Sequence, residues 1–276
     1  MLPDVPADHE DMDNARLVHR GEFAEVDCPR AEDAGMYDEE TVNWAAQARG
    51  QDLGNLVAVG VLLFSGHGYA KGSRGAAMVW LGTLLYFVYA YTVYSVAVHF
   101  NQLFLAYVAA LGLSAYAVIL SVNRLRAESE DLPQPPARRV VGCTSIAVGA
   151  LFGLLWLSEL VPASLSGKAP QSVVEAGLWV NPIHVMDLAI VLPALIIAGW
   201  QTLKGRAAGQ FLVGPLLVFS VLMATSIVAA MALMVMEGLV DTLLPLLLVS
   251  LVAVASLFAA GRHLAPSDAS RVRRQA

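Results

Sequence analysis

Seven apolar stretches fix what this chain can become. They fall near residues 53–70, 76–98, 102–122, 140–163, 182–203, 210–236 and 240–261. About 20 consecutive apolar residues cross a bilayer as a helix. In hydrocarbon an open sheet leaves backbone groups without partners, so all seven stretches are expected to be helical. The expected fold is all-α, a polytopic transmembrane helix bundle of about seven spans. The first stretch is the weakest. Its unbroken apolar part runs only from Leu56 to Phe64, and Gly66, His67 and Gly68 thin its end. Composition agrees with a chain in lipid: 57% of residues are hydrophobic, 14% are charged, and the mean hydropathy is +0.60. A soluble domain carries about 25% charged residues.

The net charge of -6 is unevenly spread. Residues 1–52 hold 14 Asp or Glu against 4 Arg, and the remainder holds 9 acids against 13 bases. Residues 1–36 are polar and acidic, with Pro3, Pro6 and Pro29. Such a segment buries too little surface to fold alone, so a disordered tail is expected there. It has neither the basic start nor the apolar stretch of a signal peptide. Asp38-Glu39-Glu40-Thr41 reads as a helix start, with acids at the positive end of the dipole. Tyr37, Thr41, Trp44 and Ala48 follow at helical spacing. This predicts an interfacial helix over 37–52, lying on the membrane with Trp44 at headgroup level and ended or bent at Gly50. The expected division is therefore tail 1–36, interfacial helix 37–52, transmembrane domain 53–262 and basic tail 263–276.

Lys and Arg in the short loops set the expected orientation. Lys71, Arg74, Arg124, Arg126, Arg138, Arg139, Lys204, Arg206, Arg262, Arg271, Arg273 and Arg274 fall on one side. The intervening loops of the other side hold only Lys168. This predicts a multi-pass protein of the cell membrane with its C-terminus in the cytoplasm and its N-tail outside. Cys28 and Cys143 would then lie on opposite faces, which excludes a disulfide between them. Neither has metal-ligand spacing.

The polar residues of the spans gather toward the expected outer side. Gln51, Asp52 and Asn55 open the first stretch. Tyr91, Tyr94, Ser95 and His99 end the second, and Trp156 and Glu159 end the fourth. Asn181, His184 and Asp187 open the fifth, spaced three apart and so on one helix face. A charged carboxylate at bilayer depth costs roughly 2.5–3.5 kcal/mol on insertion scales, which makes Asp187 a functional candidate. Pro193, six residues further in, removes a backbone hydrogen bond and predicts a kink. Asp52, Asn55, Tyr94, His99, Glu159, Asn181, His184 and Asp187 form the candidate ligand-binding set, with Asp52, His99, Glu159, His184 and Asp187 expected to converge on one pocket. His99, His184 and Asp187 are the residues that would serve if a metal were held. Trp156 and the tyrosines at helix ends also fit an aromatic belt. Tyr86 and Tyr89 lie deeper and need hydroxyl partners, which an interhelical hydrogen bond would supply. Gly149-x-x-x-Gly153 reads as a helix contact. The loop from Pro162 to Pro182 lies over the polar cluster. Its stretch 170–176 fits a short helix with proline at its first turn.

Three motifs carry a resemblance: Trp44-Ala45-Ala46-Gln47-Ala48-Arg49-Gly50-Gln51-Asp52, Val79-Trp80-Leu81-Gly82, and Asn181-Pro182-x-His184-x-x-Asp187-Leu188. Over about Tyr37 to Met234 the chain resembles a family of uncharacterised prokaryotic multi-pass integral membrane proteins. That resemblance implies a helical membrane domain and no assigned activity. Family members usually begin with a further hydrophobic segment, where this chain has its acidic tail.

Several function classes lack their residues. No lysine lies in the seventh stretch to carry retinal, and no glycine-rich loop ending in Lys-Ser or Lys-Thr is present to cradle phosphate. Nothing beyond the short basic C-tail suggests nucleic acid, and no cofactor is implied. The leading expectation is a binding or transport protein, not an enzyme, that takes a small solute, ion or lipid headgroup into an outward-facing polar pocket, with membrane lipid as its surroundings. The alternative is a metal-dependent intramembrane hydrolase. Ser95-x-x-x-His99 with His184 and Asp187 faintly resembles the ceramidase and progestin-receptor superfamily. That superfamily uses a third histidine in a late helix, and segments six and seven here have none; His263 lies at the cytoplasmic end. A non-catalytic subunit of a membrane complex is the third reading.

Overall fold

The computed structural model describes residues 31, 35–127, 137–239 and 243–264. Among these the chain is a transmembrane helix bundle without strands. A 3-10 turn at Gly35–Tyr37 leads into α1 (Val42–Ala70), α2 (Arg74–Ala97), α3 (Phe104–Ala127) and α4 (Arg138–Ser166). A short helix, α5 (Gln171–Glu175), precedes α6 (Pro182–Leu203), α7 (Ala207–Met236) and α8 (Leu244–Leu264). All but α5 are long and apolar enough to cross a membrane. The predicted tail 1–36 and the basic tail 263–276 fall mostly outside the described residues.

The helices alternate in direction. The starts of α1, α3, α6 and α8 therefore share one end of the bundle, here called the polar end, with the ends of α2, α4 and α7. The opposite end carries Lys71, Arg74, Arg124, Arg126, Arg138, Arg139, Lys204, Arg206 and Arg262. Helix α7 is the hub. It packs against α1, α2, α6 and α8 and touches α4, while α3 leans on α2 at the rim. Outward leucines, valines and isoleucines such as Leu105, Leu120, Leu154 and Leu247 are exposed as lipid-facing residues must be.

Small residues let these helices meet closely, as they do where lipid offers no hydrophobic drive to association. A Cβ at Gly50 would come within 2.1 Å of Ala230 Cα, and one at Gly54 within 1.8 Å of Ser226 Oγ. Helix α1 is thereby pressed onto α7. On the other side, a Cβ at Gly142 would stand 2.8 Å from Gly199 O, and one at Gly149 would stand 2.9 Å from Leu192 O. Together they join α4 to α6.

Two local expectations differ from the structure. The expected interfacial helix and first span are one continuous helix. Its first turn is capped by Thr41, whose side chain accepts from Trp44 N at 3.2 Å. Gly50 does not end it, because the tight seat against Ala230 keeps the backbone helical. Pro193 acts further back than a simple kink. The turn Asp187–Val191 is wound as π-helix, with Leu192 N–H bonded to Asp187 O five residues earlier. The proline lacks the N–H that would draw this stretch into α-helical register.

Candidate functional site

Between the polar-end halves of α1, α2, α4, α6, α7 and α8 lies a cavity of about 450 Å³, covered by α5. Along α7 its wall runs from Met234 to Phe219, about 22 Å at 1.5 Å per residue. The mouth is polar: Asn43, Gln47, Ser172, Glu175 and Asn181. The deep end is apolar: Val148, Leu192, Leu195, Phe219 and Val252. Trp44, Tyr89, Tyr94, Phe152 and Trp156 add aromatic faces to the wall.

Asp187 stands part-way down this cavity, at the start of the π turn. Tyr89 of α2 donates its hydroxyl to Oδ1 at 3.0 Å, and Trp156 of α4 donates its indole N–H to Oδ2 at 2.8 Å. Both donors are neutral, and no ion pair reaches Asp187 among the described residues. One turn earlier His184, only 5% exposed, sets its ring 4.7 Å from that of Trp156. Its Nε2 has no hydrogen-bond partner. Asn181 caps the helix, its Oδ1 accepting from Ile183 N at 2.9 Å. Helix α6 thus presents three polar groups on one face, as their spacing predicts.

The other candidates are held in separate networks. Asp52 lies behind Tyr94. It accepts from the Tyr94 hydroxyl at 2.8 Å through Oδ1 and from the Tyr37 hydroxyl at 2.8 Å through Oδ2. Burial first, and then the Asp52 charge, push the Tyr37 hydroxyl well above the usual tyrosine range. Asn55 meets the Tyr86 hydroxyl at 2.9 Å in a knot with Gln51 Nε2 and Ser226 Oγ, which ties α1, α2 and α7 together. His99 pairs through Nδ1 with Glu40 Oε2 at 3.0 Å, while its backbone N–H donates to Glu40 Oε1 at 2.6 Å. This clamps the α2–α3 turn to the segment before α1. Glu159 accepts from Ser172 N at 3.0 Å and holds the start of α5.

The structure therefore gathers Tyr94, Asn181, His184 and Asp187 around one cavity, and leaves Asp52, Asn55, His99 and Glu159 outside its wall. With His99 tied to Glu40, the trio His99, His184 and Asp187 is not assembled. Among the described residues no three His, Cys, Asp or Glu side chains are placed to hold a metal ion. Cys143 is free and exposed on α4; Cys28 lies outside the described residues. Sequence reasoning passed over two residues of the site. Tyr89 and Trp156 are the donors that fix Asp187. Tyr89 signalled its need of a partner by its depth, but Trp156 has the position of any belt residue.

No family model, curated protein or solved structure matches this chain.

Proposed function

We propose that this integral membrane protein binds or transports a small solute, which enters the cavity from the outer side of the cell membrane. One observation carries the reading. A roomy, partly apolar cavity holds a carboxylate fixed by two neutral donors and a buried imidazole with a free nitrogen. Cavities of about 300–1,000 Å³ with a few convergent polar groups on an apolar wall are the usual form of small-molecule sites. The motif Asn181-Pro182-x-His184-x-x-Asp187, which carries part of the family resemblance, supplies three of those groups. The Lys and Arg of the loops at the opposite end support an outward mouth, by their usual preference for the cytoplasmic side.

Solute access is testable by thiol chemistry. In a background with Cys28 and Cys143 replaced by Ser, Met223→Cys places a thiol on the cavity wall, about 20 Å below the α7 end by helix rise. Leu120→Cys places one against lipid. In nanodiscs, a charged water-soluble methanethiosulfonate is expected to modify the cavity thiol much faster than the lipid-facing one. Equal, slow modification of the two would mean a sealed cavity and would contradict the reading.

A further inference from the structure

The chemistry of the wall narrows the solute class, on the footing that the cavity is a binding site. We infer that the cavity takes a protonated amine with an apolar body, its ammonium group beside Asp187 and its body in the deep end.

Three features of the wall converge on that ligand. The first is charge. Glu175 and Asp187 line the cavity, and none of the described lining residues is Lys or Arg. An ionised carboxylate offers about four acceptor sites. The Tyr89 and Trp156 donors fill two of those on Asp187, and no cation among the described residues takes the rest. A buried carboxylate without a cation is costly, and a ligand cation removes that cost. The second is the aromatic lining. Tyr89 and Trp156 bond Asp187 directly, the Phe219 ring lies 5.5 Å from that of Tyr89, and Trp44, Tyr94 and Phe152 line the cavity beyond them; ring faces attract cations. The third is the polarity gradient. Below Asp187 the wall is Val148, Leu192, Leu195, Phe219 and Val252, which suits a hydrocarbon chain or ring and repels a bare hydrated ion. An anionic solute would meet two carboxylates and no cation among the described lining residues, and a metal ion would lack a third His, Cys, Asp or Glu ligand among the described residues. His184 adds a polar contact. Its unpartnered Nε2 is free to hydrogen-bond a polar group of the ligand.

The test compares naphthylethylamine with naphthylethanol, which has the same shape without the charge. Binding is measured calorimetrically on the whole protein in nanodiscs, with heats from empty nanodiscs subtracted. The amine is expected to bind at least about tenfold tighter than the alcohol, and Asp187→Asn to erase that preference. Should Asp187→Asn fail to fold, the amine alone is expected to protect Met223→Cys from modification. Equal binding of amine and alcohol to the unaltered protein would overturn the amine inference while leaving the cavity reading in place. Binding of neither, with Met223→Cys still readily modified, would also overturn the amine inference alone. Binding of neither, with that thiol unreactive, would overturn both.

Discussion

At Asp52 one carboxylate organises the segment that precedes α1. Tyr37 is buried and donates to one of its oxygens, and Tyr94 donates to the other. Hydrogen bonds to a charged partner contribute about 1.5–3 kcal/mol each. Tyr37→Phe should cost about that much, read as a fall in unfolding free energy in detergent. The effect has a pH signature. Folding raises the Tyr37 pKa above the ordinary 10.0, so the contribution is whole below pH 10 and fades only as pH climbs beyond it. The unaltered protein and Tyr37→Phe should therefore converge in stability at strongly alkaline pH; a gap that is constant up to that range would refute the assignment. At this scale the sequence shows expensive residues but not their partners. His184 and Asp187 stand out because ionisable groups inside an apolar helix demand an explanation. The donors to Asp187 lie 31 and 98 residues away in sequence and leave no local trace beside it. Trp156 looks like a belt residue because an indole near a helix end carries the same pattern whether it faces headgroups or a carboxylate.

The contact between α1 and α7 shows what an element owes to its neighbour. Read alone, Gly50 is a helix breaker. In the bundle it is the point where Ala230 approaches, and the helix passes through it. Gly50→Ala should destabilise by about 1–3 kcal/mol, since its Cβ meets backbone that cannot swing aside. Gly60 faces open space, so Gly60→Ala should leave stability unchanged or raise it by up to about 1 kcal/mol. Thermal unfolding of the two variants in one detergent separates them, and equal effects would mean that α1 and α7 do not meet as described. The spans themselves were legible, because length and apolarity suffice to place helices in lipid. The π turn at Asp187–Val191 was only half legible. Pro193 announces a disturbed hydrogen-bond ladder, but whether the backbone kinks or winds wider depends on how α4 and α7 hold α6.

For the molecule as a whole, the described contacts tie the segment Tyr37–Thr41 to the bundle at three places. These are Tyr37 with Asp52, Glu40 with His99, and Thr41 Oγ1 with Glu175 O at 3.0 Å. Before Tyr37 the described links are the buried Ala31 and its N–H bond to Glu40 O at 3.0 Å. Deleting residues 1–36 should therefore leave a folded protein with nearly unchanged Tm. Extending the deletion through Thr41 should lower Tm by on the order of 5–10 °C. Orientation has its own check. In intact cells an impermeant thiol reagent should reach Lys168→Cys directly and Arg206→Cys only after permeabilisation; the reverse would open the cavity to the cytoplasm. The cavity around Asp187 is, on the function proposed above, built to be occupied. The most direct measurement is an experimental density map of the protein in nanodiscs, taken with native lipid from its own membrane. Non-protein density is expected in the cavity beside the Asp187 carboxylate, between Tyr89 and Trp156. A map in which Phe152 and Met223 close across an empty cavity, with Asp187 held only by its two neutral donors, would contradict it.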